Sequence, residues 1–255
     1  MEQIHISTSN VVIEDRVFSG SHFAHEIHPD GQKRGTFRSY TVLVDGNNIT
    51  FKRCLFENTA GRGCDVGQAI ALYLDGDGIV LEDCILKGHQ DTLFLAPLPE
   101  KEIIPNGFLG PKQFTERKNR TFYFKNCRIE GGVDFIFGGA SAYFENCEFV
   151  SVEEGYVFAP STPAELEVGF VAKNCRFIAA DGIEKGSCYI ARPWRDHAAV
   201  ELINCYIGEH IAPEGFDDWG KTHARATVRF TERGSCGEGA TKARADFVKV
   251  EFYQG

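Results

Sequence analysis

No apolar stretch in this chain approaches the roughly 20 residues that a membrane-spanning helix needs. The opening Met1-Glu2-Gln3-Ile4-His5 lacks the charged and apolar regions of a signal peptide. Clustered lysine and arginine are missing too. The formal charge of −9 argues against a nucleic-acid partner and disfavours long polyanions, so a neutral, esterified or short charged ligand meets less repulsion. No cluster of acidic residues resembles a calcium site. A disulfide framework is disfavoured by an odd count of nine cysteines, six of which recur at equivalent positions as small buried apolar groups. Free thiols favour a reducing compartment. The expected location is therefore cytoplasmic, with secretion the alternative if a leader has been removed.

What the chain does have is a repeat. Arg53-Cys54-Leu55-Phe56, Asp83-Cys84-Ile85-Leu86, Asn126-Cys127-Arg128-Ile129, Asn146-Cys147-Glu148-Phe149, Asn174-Cys175-Arg176-Phe177 and Asn204-Cys205-Tyr206-Ile207 are six copies of one pattern. Their cysteines are spaced by 30, 43, 20, 28 and 30 residues, the period of a stacked array. Within each copy apolar and polar residues alternate with period two, as in Thr121-Phe122-Tyr123-Phe124-Lys125, which reads as strand. Short strands returning every 20 to 30 residues, with Gly and Asn at the corners, predict an all-β fold: a right-handed parallel β-helix of one domain over residues 1–255. The 43-residue gap holds Pro97, Pro99, Pro105, Gly107, Gly110 and Pro111, so residues 97–118 are expected to loop out. They leave the coil directly after Asp91 and are placed to wall a groove. After Tyr206 the repeat fades, and an irregular C-terminal tail is expected on the coil's flank.

Asp91 and Asp134 each follow their repeat cysteine by seven residues, so the two carboxylates should stack on neighbouring strands. Strands roughly 4.8 Å apart would hold them close enough that both cannot ionise easily. Such a pair divides into an acid and a nucleophile or base, with a nearby cation choosing which member keeps its charge. Arg192 is the candidate cation, and the amides of Gln68 and Gln90 are candidate donors to a developing oxyanion.

Four segments in order, Gln68-Ala69-Ile70-Ala71-Leu72, Gln90-Asp91-Thr92-Leu93, Val133-Asp134-Phe135-Ile136-Phe137-Gly138 and Arg192-Pro193-Trp194, resemble the motifs of the pectin methylesterases. The likeness runs from about Gly35 to Trp219. It implies a parallel β-helix that hydrolyses methyl esters of galacturonan or oligogalacturonides, with no cofactor and no metal. By resemblance, Asp134 is the nucleophile held ionised by Arg192, Asp91 protonates the departing methoxide and then activates water, and Gln68 and Gln90 line the oxyanion site. Trp194 and Phe137 would be platforms for sugar rings, and Thr36 matches a family binding threonine more loosely. Departures from the family pattern are Ala191 in place of a glycine, Pro160 after Ala159, the long loop, and only about 34 residues ahead of Gly35. The last suggests unusual capping of the N-terminal end.

Two other readings are open. One is a catalytically silent carbohydrate-binding β-helix, since fold alone does not establish function. The other is a polygalacturonase-type glycosidase using the carboxylates about a water. His22, His25 and His28 would converge on a metal only if they shared a helix face, and a polar surface segment is the expectation. Cys64, Cys188 and Cys236 stand outside the repeat register and are expected to be incidental thiols.

Overall fold

Each copy of the repeat becomes one corner of a continuous coil. In the computed structural model, which describes residues 2–251, the chain winds as a right-handed parallel β-helix whose strands fall into three parallel sheets of seven, nine and seven strands. One turn runs from Leu72–Leu74 in the first sheet to Ile79–Glu82 in the second and Ile85–Lys87 in the third. The next turn returns to the first sheet at Leu93–Leu95. Registers hold without slip: Leu93 lies opposite Leu72 on one side and Ile136 on the other.

Both halves of the polar-Cys signature have a structural reason. Arg53, Asp83, Asn126, Asn146, Asn174 and Asn204 all sit at φ between 52° and 55°, turning the chain from the second sheet into the third. Asn and Asp tolerate this left-handed conformation better than most residues. The cysteine that follows points inward and is buried in every copy. Its thiol also faces backbone carbonyls at the corner, as Cys84 Sγ does towards Glu82 O at 3.3 Å. All nine cysteines are free.

The interior is a set of ladders. Along the third sheet Phe18, Phe56, Leu86, Ile129, Phe149, Phe177 and Ile207 share one register. Phe51, Leu81, Phe124, Phe144, Ala172 and Leu202 do the same along the second. The next rung of that ladder is Glu232, fully buried with Arg244, whose guanidinium donates to it at 2.7 and 3.1 Å. This ion pair interrupts the apolar stack one rung before Val250, which lies opposite Glu232 in the last strand.

Both ends differ in detail from expectation. The residues before Gly35 supply a complete turn, Ile4–Ile6, Val12–Glu14 and Val17–Gly20, paired to the turn above. After Tyr206 the chain is irregular on the flank apart from the short 3-10 helix Thr222–Ala226. The ladder then resumes with Arg229–Arg233 and Lys249–Glu251 in the second sheet. Cys236 pairs with Tyr206. That places Ser235, not a cysteine, opposite Cys205.

Candidate active site

From Val42–Val44 to Ile136–Gly138 the first sheet is buried on both faces. Its inward residues join the main core, while outward-facing Leu43, Tyr73, Phe94, Phe137 and Ala159 form a second apolar cluster capped by Phe37 and by Phe108 from the 97–118 loop. Phe37 meets Phe94 edge-on at 5.0 Å and lies near-parallel to Trp194 at 6.5 Å. On this aromatic floor opens a cleft of about 410 Å³. Thr36, Gln68, Gln90, Asp91, Asp134, Phe137, Arg192 and Trp194 all line it. The loop contributes Ile103, Ile104, Gly107 and Phe108 to the same wall.

Asp91 and Asp134 occupy the same step of successive turns, two residues before Leu93 and Ile136, which pair. The Asp91 N–H donates to Val133 O at 3.0 Å. Both aspartates have positive φ, 64° and 51°, at the corner entering the first sheet.

Their environments differ. Arg192 clamps Asp134 with two bonds, Nε to Oδ1 and Nη2 to Oδ2, each 2.7 Å. The guanidinium is itself sandwiched between Tyr156 at 3.9 Å and Trp219 at 3.7 Å, so its plane is fixed. Burial pushes the Asp134 carboxyl above the usual range, and the Arg192 hydrogen bonds and charge pull against that shift. Burial pushes Asp91 well above the usual range, the charge on Asp134 adds to it, and Arg192 opposes only through space. Among the described residues no side chain donates a hydrogen bond to Asp91. Asp134 is therefore the member that ionises first, and Asp91 the member that keeps its proton.

Gln90 is seated by an absence. A Cβ on Gly63 would lie 2.4 Å from Gln90 Oε1, so the amide packs directly on the Gly63 backbone. The Gln90 carbonyl accepts the Ala69 N–H at 3.1 Å, tying the two glutamine segments together across neighbouring turns. Phe137 is only 4% exposed, packed 4.9 Å from Phe94 and 5.7 Å from Trp194. It lines the cleft at the foot of Trp194.

The candidate site residues thus meet in one cleft, and the histidines do not join them. His22 and His28 lie in irregular backbone and His25 in a turn, none of them on a helix. His22 and His28 pair with Glu26 and Asp30 at 2.8 and 3.2 Å. Sequence reasoning passed over Tyr156, Trp219 and Lys221. Lys221 stacks on Trp219 at 4.4 Å and donates to the Pro193 and Trp194 carbonyls at 2.7 and 3.1 Å. One signal was available: the chain has two tryptophans, and both line the cleft.

A family model described as Pectinesterase matches residues 7–98 and 113–252. The putative pectinesterase/pectinesterase inhibitor 43 of Arabidopsis thaliana is 33% identical over 221 residues, covering 82% of this chain and 28% of that protein. The chain thus spans less than a third of that relative. Among solved structures, a pectin methylesterase from Aspergillus niger superposes with a TM-score of 0.78 at 27% identity, covering 97% of this chain and 76% of that one. A pectin methylesterase in complex with a hexasaccharide gives a TM-score of 0.76 at 25% identity, covering 98% and 80%.

Proposed function

Because the chain belongs to the pectinesterase family, we propose that its cleft hydrolyses methyl esters of galacturonic acid units in pectin or pectic oligosaccharides, releasing methanol. The observation that carries this reading is the asymmetry of the aspartate pair, one clamped by Arg192 at two 2.7 Å bonds and the other buried with no side-chain donor among the described residues.

The chemistry follows from that asymmetry. A sugar ring stacks beside Trp194, placing its ester over Asp134. The Asp134 carboxylate attacks the carbonyl carbon, and charge develops on the carbonyl oxygen, where the Gln68 and Gln90 amides donate. As the tetrahedral adduct collapses the C–OCH3 bond breaks, and Asp91 gives its proton to the leaving oxygen, so methanol departs neutral. An acyl-enzyme anhydride remains and Asp91 is now ionised. A water attacks the sugar acyl carbon while Asp91 takes one of its protons, the bond to Asp134 breaks, and the galacturonic acid formed releases its remaining proton to solvent as a carboxylate. Both aspartates return to their starting states. Arg192 bonds both oxygens of Asp134 in the resting state, so it favours the ionised nucleophile and receives the carboxylate again at the end of the cycle.

Methanol release from methylated oligogalacturonides tests the reading. Methanol should appear with no new reducing ends. Reducing ends without methanol would assign a glycosidase, and neither product would leave a binding module.

A further inference from the structure

The family match breaks off after residue 98 and resumes at 113, so residues 99–112 lie outside the matched pattern. They leave the coil one strand after Asp91. We propose that this segment is a selectivity wall in which Ile103 and Ile104 read the sugar next to the scissile one and favour a neutral methyl ester there over a carboxylate. The inference rests on the esterase reading above and assigns a further part of the same site.

The segment is built to stay in place. Phe108 is buried, edge-on to Phe37 at 5.8 Å and to Trp194 at 6.2 Å. The Glu102 carboxylate accepts the Asn106 and Phe108 N–H groups at 3.1 and 3.0 Å, closing the bend that carries Ile103 and Ile104. The Lys101 carbonyl accepts from Arg195 Nη2 at 3.0 Å. At the far end Lys112 Nζ reaches Asp45 at 2.5 Å and Asp75 at 3.6 Å. A segment anchored at three points still leaves Ile103 and Ile104 68% and 65% exposed on the cleft wall. Two adjacent apolar side chains held out beside the buried Phe108 do little for folding, and such patches mark contact with a ligand.

Their chemistry sets the preference. Isoleucine has no donor, so a carboxylate brought against it loses water and gains nothing, whereas a methyl ester gains buried apolar surface. One buried methyl is worth about fourfold in affinity. Arg195 and Lys221, the cations lining the cleft beside Trp194, do not offset this, because they are engaged with backbone carbonyls. Arg195 bonds the Trp194 and Lys101 carbonyls, and Lys221 bonds those of Pro193 and Trp194. Each product carboxylate therefore makes its neighbour a poorer substrate on the loop side.

The test compares two hexagalacturonides, one methylated at every unit and one at alternate units, by kcat/KM per ester. The intact protein should favour the first by about fourfold or more. Ile103→Lys with Ile104→Lys should abolish or invert that ratio, Ile103→Asn with Ile104→Asn should flatten it, and Ile103→Leu with Ile104→Leu should keep it. An equal ratio in the parent and the lysine variant, both active, overturns the proposal. Binding of fully methylated and unmethylated hexamers, with Asp134→Asn in both backgrounds to stop turnover, separates the two claims. If the parent releases no methanol but the lysine pair reverses the binding order, the activity reading fails and the wall stands. An unchanged binding order removes the wall whatever the activity.

Discussion

Along Leu72–Leu74, Leu93–Leu95 and Ile136–Gly138, the inward positions hold Leu72, Leu74, Leu93, Leu95 and Ile136, similar aliphatics repeated at one register. The outward positions of the same strands hold Tyr73, Phe94 and Phe137, which all meet Phe37, while Tyr73 alone adds Tyr40 and Phe137 alone adds Trp194. The inner face is periodic because every rung solves the same problem, filling a tube at close-packed density. The outer face loses its period because it must hold one aspartate free, clamp another and seat an amide. In this molecule repetition carries stability and departure from repetition carries chemistry.

That division can be broken from either side. Asp134→Ala removes an outer residue at an aperiodic point, and methanol release should fall by at least about a thousandfold while far-UV circular dichroism stays unchanged. Full activity would remove Asp134 from the mechanism. Phe149→Ala cuts one rung of the inner ladder, fully buried between Ile129 and Phe177. Denaturant titration should show a loss of about 3–5 kcal/mol, with kcat of the folded fraction unchanged. A loss of kcat with no loss of stability would contradict the division.

The subtlest case is Asp91→Asn, because Asp91 belongs to both sides. Its folded carboxyl holds a proton well above the pH at which the unfolded one, near 3.9, releases it. Within that window the unfolded chain has shed the proton and the folded chain has not, so stability falls as pH rises. Asparagine cannot ionise. The variant should therefore melt higher than the parent at neutral pH, with the gap closing towards pH 3, even as turnover is lost. A gap independent of pH would mean that Asp91 is not held protonated.

The cysteine repeat made the coil readable, since a left-handed corner residue followed by an inward thiol is a local requirement that each turn restates. The equal offset of Asp91 and Asp134 from their cysteines made their adjacency readable by the same logic. What stayed hidden depends on long-range packing. Tyr156 looks like any outward residue of its strand, and Trp219 stands in an irregular stretch, so neither announces that it grips Arg192. The last strands were missed because Glu232 and Ser235 take places where apolar and cysteine residues were expected. Backbone pairing continues there although the side-chain pattern has changed. The burial of Phe137 depended on Phe37 and Trp194 arriving from distant parts of the chain.

The grip on Arg192 also sets an order in time. A chain emerging from the ribosome acquires its N-terminal turns first, and stacked turns can form as they appear. Asp91 and Asp134 are thus in place while Arg192 and then Trp219 are still unmade. Until they arrive the nascent protein holds two buried carboxyls and no cation to separate their roles. The coil assembles turn by turn, but the asymmetry of the aspartate pair is set only once Arg192 and Trp219 have both been made.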